Sequence, residues 1–290
     1  MTDRRNFIGS EAAPCWPGGA RLAVSFVVNV EEGAELSIGD GDGANESVYE
    51  IREEVAGVPD PCMETHFAYG PRRGYARIVE AFARHGVCAT FSACGRAAER
   101  LPWLIADAAG RGHEISCHGW RWERHANMDR ALEAGVIART HAAIARVAGV
   151  APVGWHTRSA ASPATRALLQ AHGGFLYDSD AYDDDMPRIV PGTRHVILPY
   201  AFDTNDMRFS PGGGFVQAED FTRYVAGAFD RLWAEGAGQA RMLSVGLHLR
   251  IIGRPGRISG LEALLAHMDR PGVWFATRRQ IAECWLEAHA

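Results

Sequence analysis

Short apolar runs rich in β-branched residues alternate with helix-length stretches about eight times along this 290-residue chain, with no break in composition between them. Such runs are buried on both faces when helical crossovers cover both sides of a parallel sheet. The alternation predicts an α/β protein with a single domain over 1–290, and a distorted (β/α) barrel rather than an open sheet. An N-terminal arm is expected over 1–19. The first run, residues 21–30 (RLAVSFVVNV), ends in two carboxylates, Glu31 and Glu32. Residues 33–70 then read as a long loop over the barrel mouth, rich in Gly, Asp and Glu at its start. Its GDGDGANES segment is a poor calcium loop, because Ala44 and Asn45 stand where an oxygen ligand and the turn glycine belong. Helices are predicted over 74–85, 96–110, 127–148, 162–172, 218–235, 259–267 and 278–287, and the later strands over 87–94, 113–117, 153–156, 174–177, 195–199, 242–249 and 273–276.

Composition excludes several chemistries. All 30 Lys+Arg residues are Arg, which removes lysine Schiff bases and the P-loop lysine. A net charge of -5 and a pI near 6.2 leave no basic footprint for nucleic acid. No apolar stretch approaches the roughly 20 residues that span a bilayer, and no signal-type apolar segment follows the first charges, so a cytoplasmic location is expected. The 6 cysteines form no C-x-x-C pair, and several sit in apolar runs, as buried thiols do.

Functional residues of barrels collect at the C-terminal strand ends. The polar residues following each apolar run are Glu31 and Glu32, His118, His156 with Arg158, Asp203 and Asp206, and His248 with Arg250. A carboxylate pair directly after an apolar strand is unusual for a surface, and Gly119 beside His118 allows close approach of a backbone. Asp203 and Asp206 also suit a turn, and the remaining histidines read as structural. Other templates fail. His113 and Glu114 begin an H-E-x-x-H but meet Cys117, and neither G-x-S-x-G nor a post-strand G-x-G-x-x-G is present. GRPGR at 253–257 offers a weak anion cradle.

The ordered set NVEEG (29–33), SCHGWRW (116–122) and VGLHLR (245–250) resembles the polysaccharide deacetylase superfamily with its NodB-type domain. That family holds a metal through an aspartate and two histidines. The matching positions here are Glu32, His118 and Trp122, and an indole has no lone pair to give a cation. His125 does not substitute on a helix, where it would lie about 10.5 Å along the axis. The chain is more closely similar to the metal-independent allantoinases and cyclic imidases of this superfamily. That likeness runs through HGWRW (118–122), GWHT (154–157), GGFLYDSDAYDDDMP (173–187), LPYAFDTNDMRF (198–209) and MLSVGLHLRIIGRPGR (242–257). METHFAYGPRRG (63–74) and His156 depart from that pattern.

The resemblance implies a hydrolase opening a ring C–N bond of a small cyclic amide: an allantoin-like ureide, a hydantoin or an imide. No cofactor is expected. Glu31 or Glu32 would be the base, its pKa raised by the other, with His118 and His248 as the remaining catalytic groups. Trp122, His156, Arg158, Asp203, Asp206, Arg250 and Glu64 would bind substrate. The partners implied are the small substrate and a second copy of the chain in a homo-oligomer, with no nucleic acid and no membrane. A zinc-dependent N-deacetylase of acetylated sugars and a non-catalytic binding protein are the alternatives.

Overall fold

The protein is described by a computed structural model over residues 16–48, 50–51 and 53–289; most of the expected arm, 1–15, lies outside the described residues. Among the described residues nine strands form one sheet: β1 (Leu22–Val30), β2 (Thr90–Ala93), β3 (Glu114–Cys117), β4 (Gly154–Trp155), β5 (Tyr177–Asp178), β6 (Arg188–Ile189), β7 (Val196–Ile197), β8 (Arg241–His248) and β9 (Val273–Phe275). Their order is β6-β7-β5-β4-β3-β2-β1-β8, with β9 also against β1. Every pairing is parallel except β6 with β7. The sheet curls into a half-barrel, and the loop after β7 touches β8 through a bridge between Asn205 and Gly246. All nine residues of β1 are buried, as the continuous apolar run requires.

The helices are α1 (Pro61–Tyr69), α2 (Tyr75–Arg84), α3 (Gly95–Arg100), α4 (Pro102–Gly110), α5 (Arg130–Ala148), α6 (Thr165–His172), α7 (Ala218–Glu235), α8 (Pro255–Met268) and α9 (Arg278–Ala288). Three depart from the sequence reading. The loop over 33–70 ends in α1, started by Pro61 and by Asp60, whose side chain accepts from the Cys62 and Met63 amides. The single helix expected over 96–110 is two, because Pro102 cannot extend α3 and instead opens α4. GRPGR starts α8, with Pro255 in its first turn. Its arginines lie over rings, Arg254 3.7 Å from Tyr69 and Arg257 4.7 Å from Phe209, so it is a helix start rather than an anion cradle. Trp16, at the end of the arm, is buried beside Trp274 and Trp285 and donates to the Arg241 carbonyl. No described helix is long and apolar enough to cross a membrane.

Candidate active site

Parallel register brings the site together. Val30, Ala93, Cys117 and Trp155 lie in one row across β1, β2, β3 and β4, so the next residues, Glu31, His118 and His156, leave the sheet side by side. Asn29 pairs with His248 on β8, which places Arg250 just beyond. Asn29, Glu31, His118, His156, His248 and Arg250, with Val48 and Glu50 of the long loop and Tyr200, Phe202, Asn205 and Met207 after β7, line a cleft of about 590 Å³ counting its open mouth.

Glu31 is the centre. Its Oε1 lies 3.5 Å from His118 Nε2 and 3.5 Å from His248 Nε2, and its Oε2 accepts from Arg250 at 2.7 Å. Burial alone would raise its pKa, but Arg250, His248 and His118 hold it well below the usual carboxylate range. Glu32 does not line the cleft. One oxygen accepts from the Arg250 amide at 3.1 Å and the other from the Glu31 amide at 3.2 Å, beneath Gly70, where a Cβ would meet the carboxylate at 2.6 Å. Burial, aided by the Glu31 charge and opposed by Arg250, raises its pKa to about 7. The expected shift thus falls on the carboxylate behind the site, and the one facing the cleft stays ionised.

The two histidines are held by different partners. His248 Nδ1 is 2.7 Å from Asp206 Oδ1, and although burial disfavours the charge, Asp206 and Glu31 raise its pKa to about 10. It is an imidazolium at neutral pH, with Nε2–H toward Glu31. His118 Nδ1 is 2.8 Å from the His156 carbonyl, which only accepts, so Nδ1 carries a proton and Nε2 faces Glu31. His156 stacks on His118 at 4.9 Å between centroids. Burial and the neighbouring His118 lower its pKa well below the ordinary value.

Four expected site residues are placed elsewhere or differently. Asp206 is fully buried and does not line the cleft: one oxygen holds His248 Nδ1 while the other accepts from the amides of His248 and Ile252. It positions the imidazole and has no oxygen left for substrate. Asp203 is exposed and accepts from the Tyr224 hydroxyl, because the chain turns outward there. Glu64 turns into the long loop and accepts from Ser37 at 2.6 Å. Arg158 lines the cleft but is paired with Glu46 at 3.2 Å. Trp122 forms part of the wall at a left-handed φ of 41°, a conformation that a bulky residue keeps only where its surroundings enforce it.

The sequence reading missed Glu50, Asn29, Tyr200 and Asn205. Glu50 accepts from Arg250 Nε at 2.8 Å, and its pKa is lowered to about 2, burial being outweighed by Arg250 and His66. Asn29 had a signal: it is a polar residue inside an apolar, doubly buried strand.

The metal implied by the resemblance does not fit this donor set. A guanidinium already sits among Glu31, Glu32 and Glu50, and Trp122 stands where a second imidazole would be needed. His125 is bound to Glu133 at 3.0 Å, outside the cleft lining. Among the described residues no three His, Cys, Asp or Glu side chains are grouped to hold a cation.

The polysaccharide deacetylase family profile matches residues 56–174. A Schizosaccharomyces pombe protein described as a polysaccharide deacetylase is 34% identical over an alignment spanning 100% of this chain and 99% of its own. Among solved structures, one described as a polysaccharide deacetylase from Pseudomonas aeruginosa PAO1 is 40% identical with a TM-score of 0.94, covering 99% of this chain and 98% of that one. PuuE allantoinase is 39% identical with a TM-score of 0.94, covering 99% and 97% respectively. With likeness over its full length, the chain belongs to the polysaccharide deacetylase family of hydrolases.

Proposed function

We propose that this protein hydrolyses a ring C–N bond in a small cyclic amide, of the allantoin, hydantoin or imide class, without a metal ion. The observation that carries the reading is the position of Arg250: a fixed cation held by Glu31 and Glu32, the carboxylate pair that matches the family's two aspartates. The likeness to an allantoinase along nearly the whole chain supports it.

Ring opening requires a water to lose a proton, its oxygen to bond to the carbonyl carbon, and the nitrogen to gain a proton as the C–N bond breaks. Glu31 Oε1 and His118 Nε2 face one another at 3.5 Å, and together they orient a water. Glu31, ionised at neutral pH, takes its proton. His248 Nε2–H, opposite, gives its proton to the departing nitrogen. Asp206 keeps that imidazole charged and aimed. The products remain joined as one opened chain.

The test is turnover of allantoin, hydantoin, succinimide and an N-acetylglucosamine oligomer by the purified protein and by Glu31→Gln. Ring opening by the wild type, reduced about 10³-fold or more in the variant, is the expected result. Release of acetate from the oligomer with no ring opening would overturn the reading.

A further inference from the structure

Tyr200 and Asn29 lie together on the cleft wall, and their hydrogen-bonding leaves one donor and one acceptor unused. Asn205 Oδ1 accepts from the Met207 amide at 2.9 Å, which fixes its side chain and turns Nδ2 to the Tyr200 hydroxyl at 3.2 Å. Asn29 Nδ2 donates to the Leu247 carbonyl at 3.3 Å, which fixes that amide too, and to the same hydroxyl at 3.2 Å. The phenolic oxygen therefore receives two N–H groups, and its own hydrogen must point elsewhere. Among the described residues no acceptor takes that hydrogen. Burial pushes the phenol's pKa up, so the hydrogen stays in place. Asn29 Oδ1 is likewise buried without a partner among the described residues. Asn29 is 2% and Tyr200 5% exposed, so neither open group is readily served by bulk water. The fold makes room for this cluster: a Cβ on Gly246 of β8 would lie 2.3 Å from both Asn205 Nδ2 and the Tyr200 hydroxyl.

We propose that the Tyr200 hydroxyl and Asn29 Oδ1 form a donor–acceptor pair that reads the cis-amide edge of a ring, the hydroxyl donating to the ring carbonyl and Oδ1 accepting from the adjacent ring N–H. A small ring forces its amide cis, presenting C=O and N–H on one side. An open-chain secondary amide is trans and presents them on opposite sides. The pair thereby selects cyclic amides over acetamido groups and requires an unsubstituted ring nitrogen. It deepens the cyclic-amide reading and rests on it for the identity of the site.

The experiment measures dissociation constants by calorimetric titration into Glu31→Gln, with turnover by the wild-type protein followed separately. The ligands are succinimide and N-methylsuccinimide, then 2-pyrrolidinone and γ-butyrolactone, a pair that exchanges N–H for O without added bulk. The expected result is about a tenfold or greater loss of affinity on N-methylation, on exchange of N–H for O, and for succinimide when Tyr200→Phe is added. Succinimide failing to bind, or binding within about twofold whether or not the N–H and the hydroxyl are present, overturns the proposal. If the pattern of affinities holds while the wild-type protein opens none of the rings, edge recognition stands and the hydrolase reading falls. The comparison of ligands needs no Tyr200 variant and so is independent of any folding defect in Tyr200→Phe.

Discussion

Among the described residues two guanidiniums are almost completely buried, and they are held in opposite ways. Arg278, at the start of α9, reaches into the half-barrel, where Nε donates to Ser179 Oγ at 2.8 Å and Nη1 to Ser244 Oγ at 3.1 Å, while Nη2 serves the Leu198 and Pro199 carbonyls. Its hydrogen-bond acceptors are neutral, and burial lowers its pKa. Arg250, at the mouth, lies among Glu31, Glu32 and Glu50. Burial opposes its charge there, but the three carboxylates raise its pKa. Around Arg278 the oxygens left by two-residue strands and their loops are closed by a donor. Around Arg250 charge is concentrated, and the nearby Asn29 Oδ1 and His156 Nδ1 have no partner among the described residues. A buried polar centre that serves only the fold satisfies its groups; one that serves chemistry keeps some open and shifts the pKa of others.

Exchanging each arginine for methionine breaks the comparison most sharply. Arg278→Met strands the Leu198 and Pro199 carbonyls and is expected to cost about 3 kcal/mol or more of unfolding free energy, nearly independent of pH between about 5 and 8, read by urea denaturation. Arg250→Met changes the sign of a pH dependence. With Arg250 present, the folded pKa values of Glu31 and Glu50 lie below their unfolded values, so their contribution is present above about pH 4.5 and is lost as pH falls toward 2. Without it, burial is the largest remaining influence on both carboxylates, against His248 and His118 at Glu31 and His66 at Glu50, and both values are expected to rise above the unfolded ones. The variant then loses stability as pH rises from about 4.5 toward 7; denaturation midpoints at the two ends of that range check it.

The next effect is on catalysis. The imidazolium of His248 persists to about pH 10 because of Asp206 and Glu31, against the cost of burial, so the alkaline limb of the kcat/KM profile lies there. Asp206→Asn removes the anion, and the limb moves down by about one unit or more. An alkaline limb unmoved by that change would remove His248 from the acid role. The smallest effect sits three residues away: Asp203→Asn, in an exposed side chain outside the cleft, leaves kcat/KM within about twofold.

Much of this was legible in the chain because strong periodicity survives tertiary packing. Helix α7 has the bounds its pattern predicts, and β8 is displaced by one residue. Glu31, His118 and His248 follow from where apolar runs stop. The two-residue strands β4 to β7 are too short to show a period, and the antiparallel β6 went unseen. Glu64 and Glu50 lie in the one connection between β1 and α2 and are the same residue type, and only the path of the backbone selects Glu50. Tyr200 and Asn29 are 171 residues apart, and their roles arise from a contact that no local pattern encodes. Asn29 inside the apolar β1 and Gly246 inside β8 are the marks of that contact in the sequence.

The most direct test of a guanidinium, and not a metal, serving this carboxylate cluster is ring-opening turnover by chelator-treated protein, with metal content assayed on the same sample and zinc then added back. Turnover that persists with no stoichiometric metal and does not rise with zinc is the predicted result. Turnover that vanishes with chelator and returns with zinc would contradict the account, placing a cation among carboxylates that here hold a guanidinium.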